Sequence, residues 1–220
     1  MNEKQVTLNE VNKGDEIFYK ISNVDKMRPF FMTIVSDSNH WMFVASNGGI
    51  SAGRKNSEYA LFPYYTDDKI TESTETTGSK TIVRVIAKGE QQTWEPFSIR
   101  SERAFECQRN LYKSRYGNKL IFEEINHDLA VTFQYEWNNS NQYGFVRKAT
   151  IINHSANEVQ VTLIDGLQNV LPYGIGSDLQ NSTSNLADAY KRSELLADTG
   201  LGIYALSAII VDKAEPSEAL

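Results

Sequence analysis

The chain has 220 residues, of which 40% are hydrophobic and 23% charged, and it carries a net charge of −6. This length suits one large all-β domain with a sizeable core, and the composition excludes a disordered chain. Basic residues are scattered and outnumbered, which argues against nucleic acid and against an anionic membrane as partners, because phosphate binding needs clustered cations.

Residues 1–16 are polar and lack the apolar core of a signal peptide. No run reaches the roughly 18 apolar residues of a membrane span. The chain therefore reads as cytoplasmic. Its single cysteine, Cys107, rules out an intrachain disulfide and a cysteine-rich zinc site, and reads as a packed thiol.

Strands are expected at residues 16–21, 30–35 and 41–46, with Asn47-Gly48-Gly49 as a tight turn. The Thr- and Ser-rich stretch 71–79 reads as a loop, followed by strands at 81–87 and 104–111. Residues 119–125 and 129–137 read as a hairpin around Asn126-His127-Asp128. The second of these strands has the clearest pattern. Leu129, Val131, Phe133, Tyr135 and Trp137 alternate with Ala130, Thr132, Gln134 and Glu136, so one face is apolar and the other polar. Residues 144–152 and 158–164 read as a second hairpin, with 153–157 as its loop. A helix is expected from a cap at Ser184 or Asn185 to Gly200, placing Leu186, Tyr190 and Leu195 on part of one face. The apolar run 203–211 reads as a strand covered on both sides, or one that enters a larger structure. Many short strands and one helix give an all-β antiparallel sandwich over residues 1–220.

Catalytic patterns are sparse. Phosphate-loop, dinucleotide, zinc-protease and nucleophile-elbow motifs are absent, and nothing calls for a metal or cofactor. His40, His127 and His154 lie far apart in sequence. Glu123 and Glu124 are adjacent on a strand and so point to opposite faces, which argues against a catalytic dyad. No catalytic residue is assigned. Asp165 reads as a turn carboxylate, and Trp94 and Trp137 as core residues or, alternatively, sugar platforms.

The richest segment runs from Asn47 to Lys69. Within it, Arg54, Tyr64, Tyr65, Asp67 and Asp68 combine aromatic faces with charged groups that fix hydroxyls, the mixture a sugar site uses. They form the candidate saccharide-facing loop. The competing reading packs its aromatics in the core and pairs Arg54 with Asp67 or Asp68.

The run PFFMTIVSDSNHWMFVASNGGISAGRKNSEYALFPYYTDDKI, with YGFVRKATIIN, DGLQNVLP and DKAEPSEAL, resembles the N-terminal region of large bacterial cellobiose-phosphorylase-like proteins of glycoside hydrolase family 94. The resemblance covers about residue 29 to the end of the sequence. It implies a galactose-mutarotase-like super-sandwich that precedes an (α/α) barrel holding the catalytic Asp and the phosphate site. It also implies that this chain is non-catalytic and a truncated part of a larger glycoside phosphorylase or hydrolase. Its expected partners are a C-terminal catalytic domain, a carbohydrate and a second copy as homodimer. A stand-alone aldose-epimerase-like enzyme, with His40 and a carboxylate, and a carbohydrate-binding module are the alternatives.

Overall fold

The computed structural model describes residues 5–63, 67–87 and 89–208. In chain order the strands and helices are β1 (Thr7–Lys13), β2 (Glu16–Ser22), β3 (Phe31–Thr33), β4 (His40–Ala45), β5 (Ile50–Arg54), α1 (Asp67–Ile70), β6 (Gly78–Ala87), β7 (Glu90–Trp94), β8 (Cys107–Ser114), β9 (Lys119–Asn126), β10 (Val131–Ser140), β11 (Gly144–Asn153), β12 (Gln160–Gln168), α2 (Ser177–Tyr190), β13 (Lys191–Leu196) and β14 (Leu201–Leu206). The fold is all-β. The strands pair antiparallel, in a six-stranded sheet ordered β1-β2-β8-β9-β10-β11, two three-stranded sheets ordered β3-β4-β5 and β12-β6-β7, and the β13-β14 ribbon.

The alternation in β10 places the layers. Val131, Phe133, Tyr135 and Trp137 are all buried, and they join Leu111 of β8 and Leu120 and Phe122 of β9 on one face of the large sheet. That face packs against Met42, Val44 and Ile50 of one small sheet and Val83, Val85 and Trp94 of the other. Two apolar faces thus close on one core, as in a sandwich. Trp94 and Trp137 are fully buried, so both serve the core and neither is a sugar platform.

Several expectations are corrected. Residues 144–152 and 158–164 do not pair with each other: β11 pairs with β10, whereas β12 crosses to the other layer and pairs with β6. The 154–159 connection therefore joins two sheets, although its turn residues look like those of a hairpin. Strand β8 starts at Cys107, because Ser101, Ala104 and Phe105 are engaged in turn hydrogen bonds before it. Helix α2 starts at Ser177 and ends at Tyr190, so Leu195 lies on β13 and not on the helix. The apolar run 203–211 contributes only its first residues to β14, where Ile203 and Tyr204 are exposed at 45% and 41%, not covered on both sides. Residues 209–211 lie outside the described part.

Strands β1, β5, β7 and β13 carry no strong alternating signal, and pairing alone brings them into sheets. No helix among the described residues is long and apolar enough to cross a membrane.

Candidate functional site

The carboxylates nearest the core are already engaged. Glu124, fully buried, accepts hydrogen bonds from Trp94 Nε1 at 2.9 Å, the Phe97 backbone N at 2.8 Å and Arg109 Nε at 2.6 Å. The Phe97 bond holds an aromatic residue at φ 63°, a left-handed conformation that bulky residues rarely adopt. Glu123, on the opposite face, accepts from Asn110 Nδ2 and Tyr112 Oη, both at 2.7 Å, and from Gln134. Burial, followed by the bond to Glu123 and its charge, raises the Tyr112 phenol above its ordinary pKa.

Asp165 is a strand residue of β12 and not a turn residue. Its carboxylate takes both terminal nitrogens of Arg147 at 2.7 and 2.8 Å, and Thr81 Oγ1 at 2.6 Å. Burial pushes its pKa up, but the bonds from Arg147 and Thr81 and the Arg147 charge outweigh burial and hold it below the ordinary value. Arg147 also lies 5.2 Å from the Tyr135 ring centroid, so the pair ties β11 to β12 across the two layers.

A cleft of about 380 Å³ is lined by Asp25, Glu72, Glu75, Glu102 and Arg109 over Phe97 and Phe122. Its chemistry is largely structural. Glu75 accepts from Ile99 N, Ser98 Oγ and Lys80 Nζ at 2.9–3.3 Å. Glu102 pairs with Arg109 at 2.9 Å. The bonds from Ser98 and Ile99 to Glu75 fasten the 98–102 turns to the loop at 71–77, and Glu102–Arg109 ties the same turns to β8.

Of the candidate saccharide-facing residues, Arg54 closes β5 and is exposed, with its Nε donating to Asn39 Oδ1 at 3.4 Å. Tyr64 and Tyr65 lie outside the described residues. Asp67 and Asp68 open α1, and their side chains lie outside the described part. The neighbours Phe62 and Ala60 are buried, in keeping with the packing reading for that part of the loop.

Arg54 does line a second cleft, of about 340 Å³, together with Lys55, Tyr59, Phe145, Pro172 and Tyr173. Local structure builds its walls. Gly53 bridges to Ala60, and Leu61 N donates to Ala52 O at 2.7 Å. Leu171 N then donates to Leu61 O at 2.8 Å, bringing the 171–175 segment alongside. Tyr59 and Tyr173 meet with centroids 6.1 Å apart at 30°, and Lys55 Nζ lies 5.1 Å from the Tyr59 centroid. Both rings are open to solvent, at 40% and 65% exposure.

Glu58 latches the two walls. It accepts from Ser177 N at 3.0 Å and Ser177 Oγ at 2.5 Å, at the start of α2. These two bonds lower its pKa. Gly176 lies against it: an added Cβ would be 2.5 Å from Glu58 Oε2 and would push that carboxylate aside. The pairing of Tyr59 with Tyr173 has no local signal in the sequence, because 114 positions separate them.

His40 stands near this cleft, with Nδ1 2.5 Å from Ser38 Oγ and its ring edge-on to Phe145 at 5.0 Å. Burial and then the Arg54 charge lower its pKa. Among the described residues no carboxylate hydrogen-bonds to His40. His154 is bonded to Thr132 Oγ1 at 2.7 Å, and His127 is exposed. Among the described residues no group of three or more His, Cys, Asp or Glu side chains is arranged to hold a metal ion.

In comparisons with known proteins, the chain matches no protein-family model and no curated protein.

Proposed function

We propose that this chain is a non-catalytic β-sandwich domain of a cytoplasmic carbohydrate-active enzyme, galactose-mutarotase-like in type, that packs against a glycoside phosphorylase or hydrolase domain. The observation that carries the reading is the β13-β14 ribbon. It pairs only with itself among the described strands, and Leu195, Leu196, Leu201 and Ile203 are exposed at 72%, 45%, 60% and 45%. A two-stranded ribbon is marginally stable alone in water, and adjacent apolar residues exposed on both faces call for a covering partner. The internal bonding of buried Glu123 and Glu124 and of half-buried Asp165 adds support, because these carboxylates hold the sheets together.

The test has two arms. The purified chain is assayed for phosphorolysis of cellobiose, for hydrolysis of aryl glucosides and for glucose mutarotation, and none is expected. Binding of a hydrophobic dye is expected to be strong, and to fall in the Leu195→Lys, Ile203→Lys double variant with the far-UV circular dichroism unchanged. Turnover by the chain alone, or no dye binding, overturns the reading.

A further inference from the structure

We infer that the cleft between Tyr59 and Tyr173 is a binding site for the end of a neutral oligosaccharide. This rests on the carbohydrate reading above and adds to it a site, a ligand class and a latch.

The Tyr173 ring is 65% exposed, at the tip of Pro172-Tyr173-Gly174. The ring is not isolated, because Tyr59 backs it at 6.1 Å and Lys55 lies over Tyr59 in turn. The platform is therefore supported before any ligand arrives. A flat aromatic face suits the C–H face of a pyranose ring, which is apolar, whereas the ring edge carries hydroxyls.

The rim supplies groups for those hydroxyls. Arg54 and Lys55 are exposed cations at the edge of the same cleft. Arg54 has only one long hydrogen bond among the described residues, to Asn39 at 3.4 Å, so most of its five donors are free to meet acceptors. The one carboxylate on this rim, Glu58, is engaged with Ser177. Neutral, hydroxyl-rich ligands fit an aromatic floor flanked by donors. A cleft of about 340 Å³ has room for one or two sugar rings, which places the site at a chain end.

Glu58 is a positioning residue. It joins the turn that carries Tyr59 to the start of α2, three residues beyond Gly174, and so fixes the spacing of the two tyrosines. Rigid presentation lowers the ordering cost of binding.

Cellotetraose and maltotetraose are titrated into the full chain by calorimetry and by ligand-observed NMR. At least one is expected to bind saturably. Tyr173→Ala is expected to weaken binding about tenfold, and Tyr173→Phe, which keeps the ring, to retain it. Glu58→Ala and Gly176→Ala are expected to weaken binding a few-fold, with a further loss when Arg54→Ala is added. Circular dichroism confirms that each variant folds, and Tyr173 is exposed enough for its removal to leave the core intact. No saturable binding by wild type, or binding that Tyr173→Ala leaves unchanged, overturns the inference. Either failure leaves the turnover and dye-binding results intact, so loss of this site is distinguishable from loss of the packing role.

Discussion

Glu123 and Glu124 are consecutive residues of β9 whose carboxylates are buried on opposite faces of the same sheet. Glu124 meets a guanidinium, an indole N–H and a backbone N–H inside the sandwich. Glu123 meets two amides and a phenol on the outer face. One peptide unit thus serves two separate networks, and the chemistry of the partners sets how much each is worth.

Glu124→Gln is expected to destabilise the chain by about 3 kcal/mol, because it leaves the largely buried Arg109 with only Glu102 for charge compensation. Glu123→Gln loses charge-assisted bonds to neutral donors only, and about 1–2 kcal/mol is expected. Urea unfolding of both variants checks the order. A larger loss at position 123 would contradict it.

Asp165 sets an acid limit. Its folded pKa is depressed, so its contribution is present above the ordinary carboxylate pKa, about 4, and is lost as pH falls through the lower folded value. Asp165→Asn is expected to cost about 1–3 kcal/mol near neutrality, less than a fully buried pair because both side chains retain some exposure. Its stability should also vary less with pH in the acid range than that of wild type. Urea midpoints measured from neutral to acid pH test this, and parallel curves would refute it.

Cys107 should be inert. Burial first, then the Glu124 charge, pushes its thiol up to about 12. At pH 8 the thiolate fraction is then about 10⁻⁴, and only the thiolate is nucleophilic. Iodoacetamide is expected to label the native chain orders of magnitude more slowly than the urea-unfolded chain, as read by intact mass.

Gly53 sits where two backbones and a ring converge. A Cβ there would lie 2.5 Å from both Trp41 Cζ2 and the Tyr59 carbonyl oxygen. Since the Tyr59 contact is backbone, relief requires moving the turn. Gly53→Ala is expected to cost about 1–3 kcal/mol and to lower the melting temperature accordingly. A melting temperature equal to that of wild type would show that the turn yields freely.

What the sequence made legible follows from locality. The faces of β10 are readable because Val131, Phe133, Tyr135 and Trp137 alternate with polar residues inside one strand. The opposed directions of Glu123 and Glu124 follow from the same period. The partner of β12 was not readable, because Asn153 and Asn157 suit a hairpin turn and a sheet-to-sheet crossing equally well. Asp165-Gly166 resembles a turn until Arg147 is brought to it from the other layer. The start of α2 was missed because its charged cap, Glu58, lies 119 residues away, and its own sequence is too polar to announce a buried face. Arg54 was found because its segment is rich in aromatic and charged residues. Tyr59 and Tyr173, which line the same cleft, are brought to it only by the fold.

The crossing of β12 to β6 also orders events during synthesis. Strands β8 to β11 follow one another and pair in sequence, so that meander assembles as it leaves the ribosome. Ile86 must wait for Gln160, and Gly78 for Gln168. Until then β6 has one vacant side in a nascent chain, open to capture by a stray strand. Slow translation between Ala87 and Gln160 would lengthen that exposure, and a chaperone that shields β6 would raise the yield of native protein.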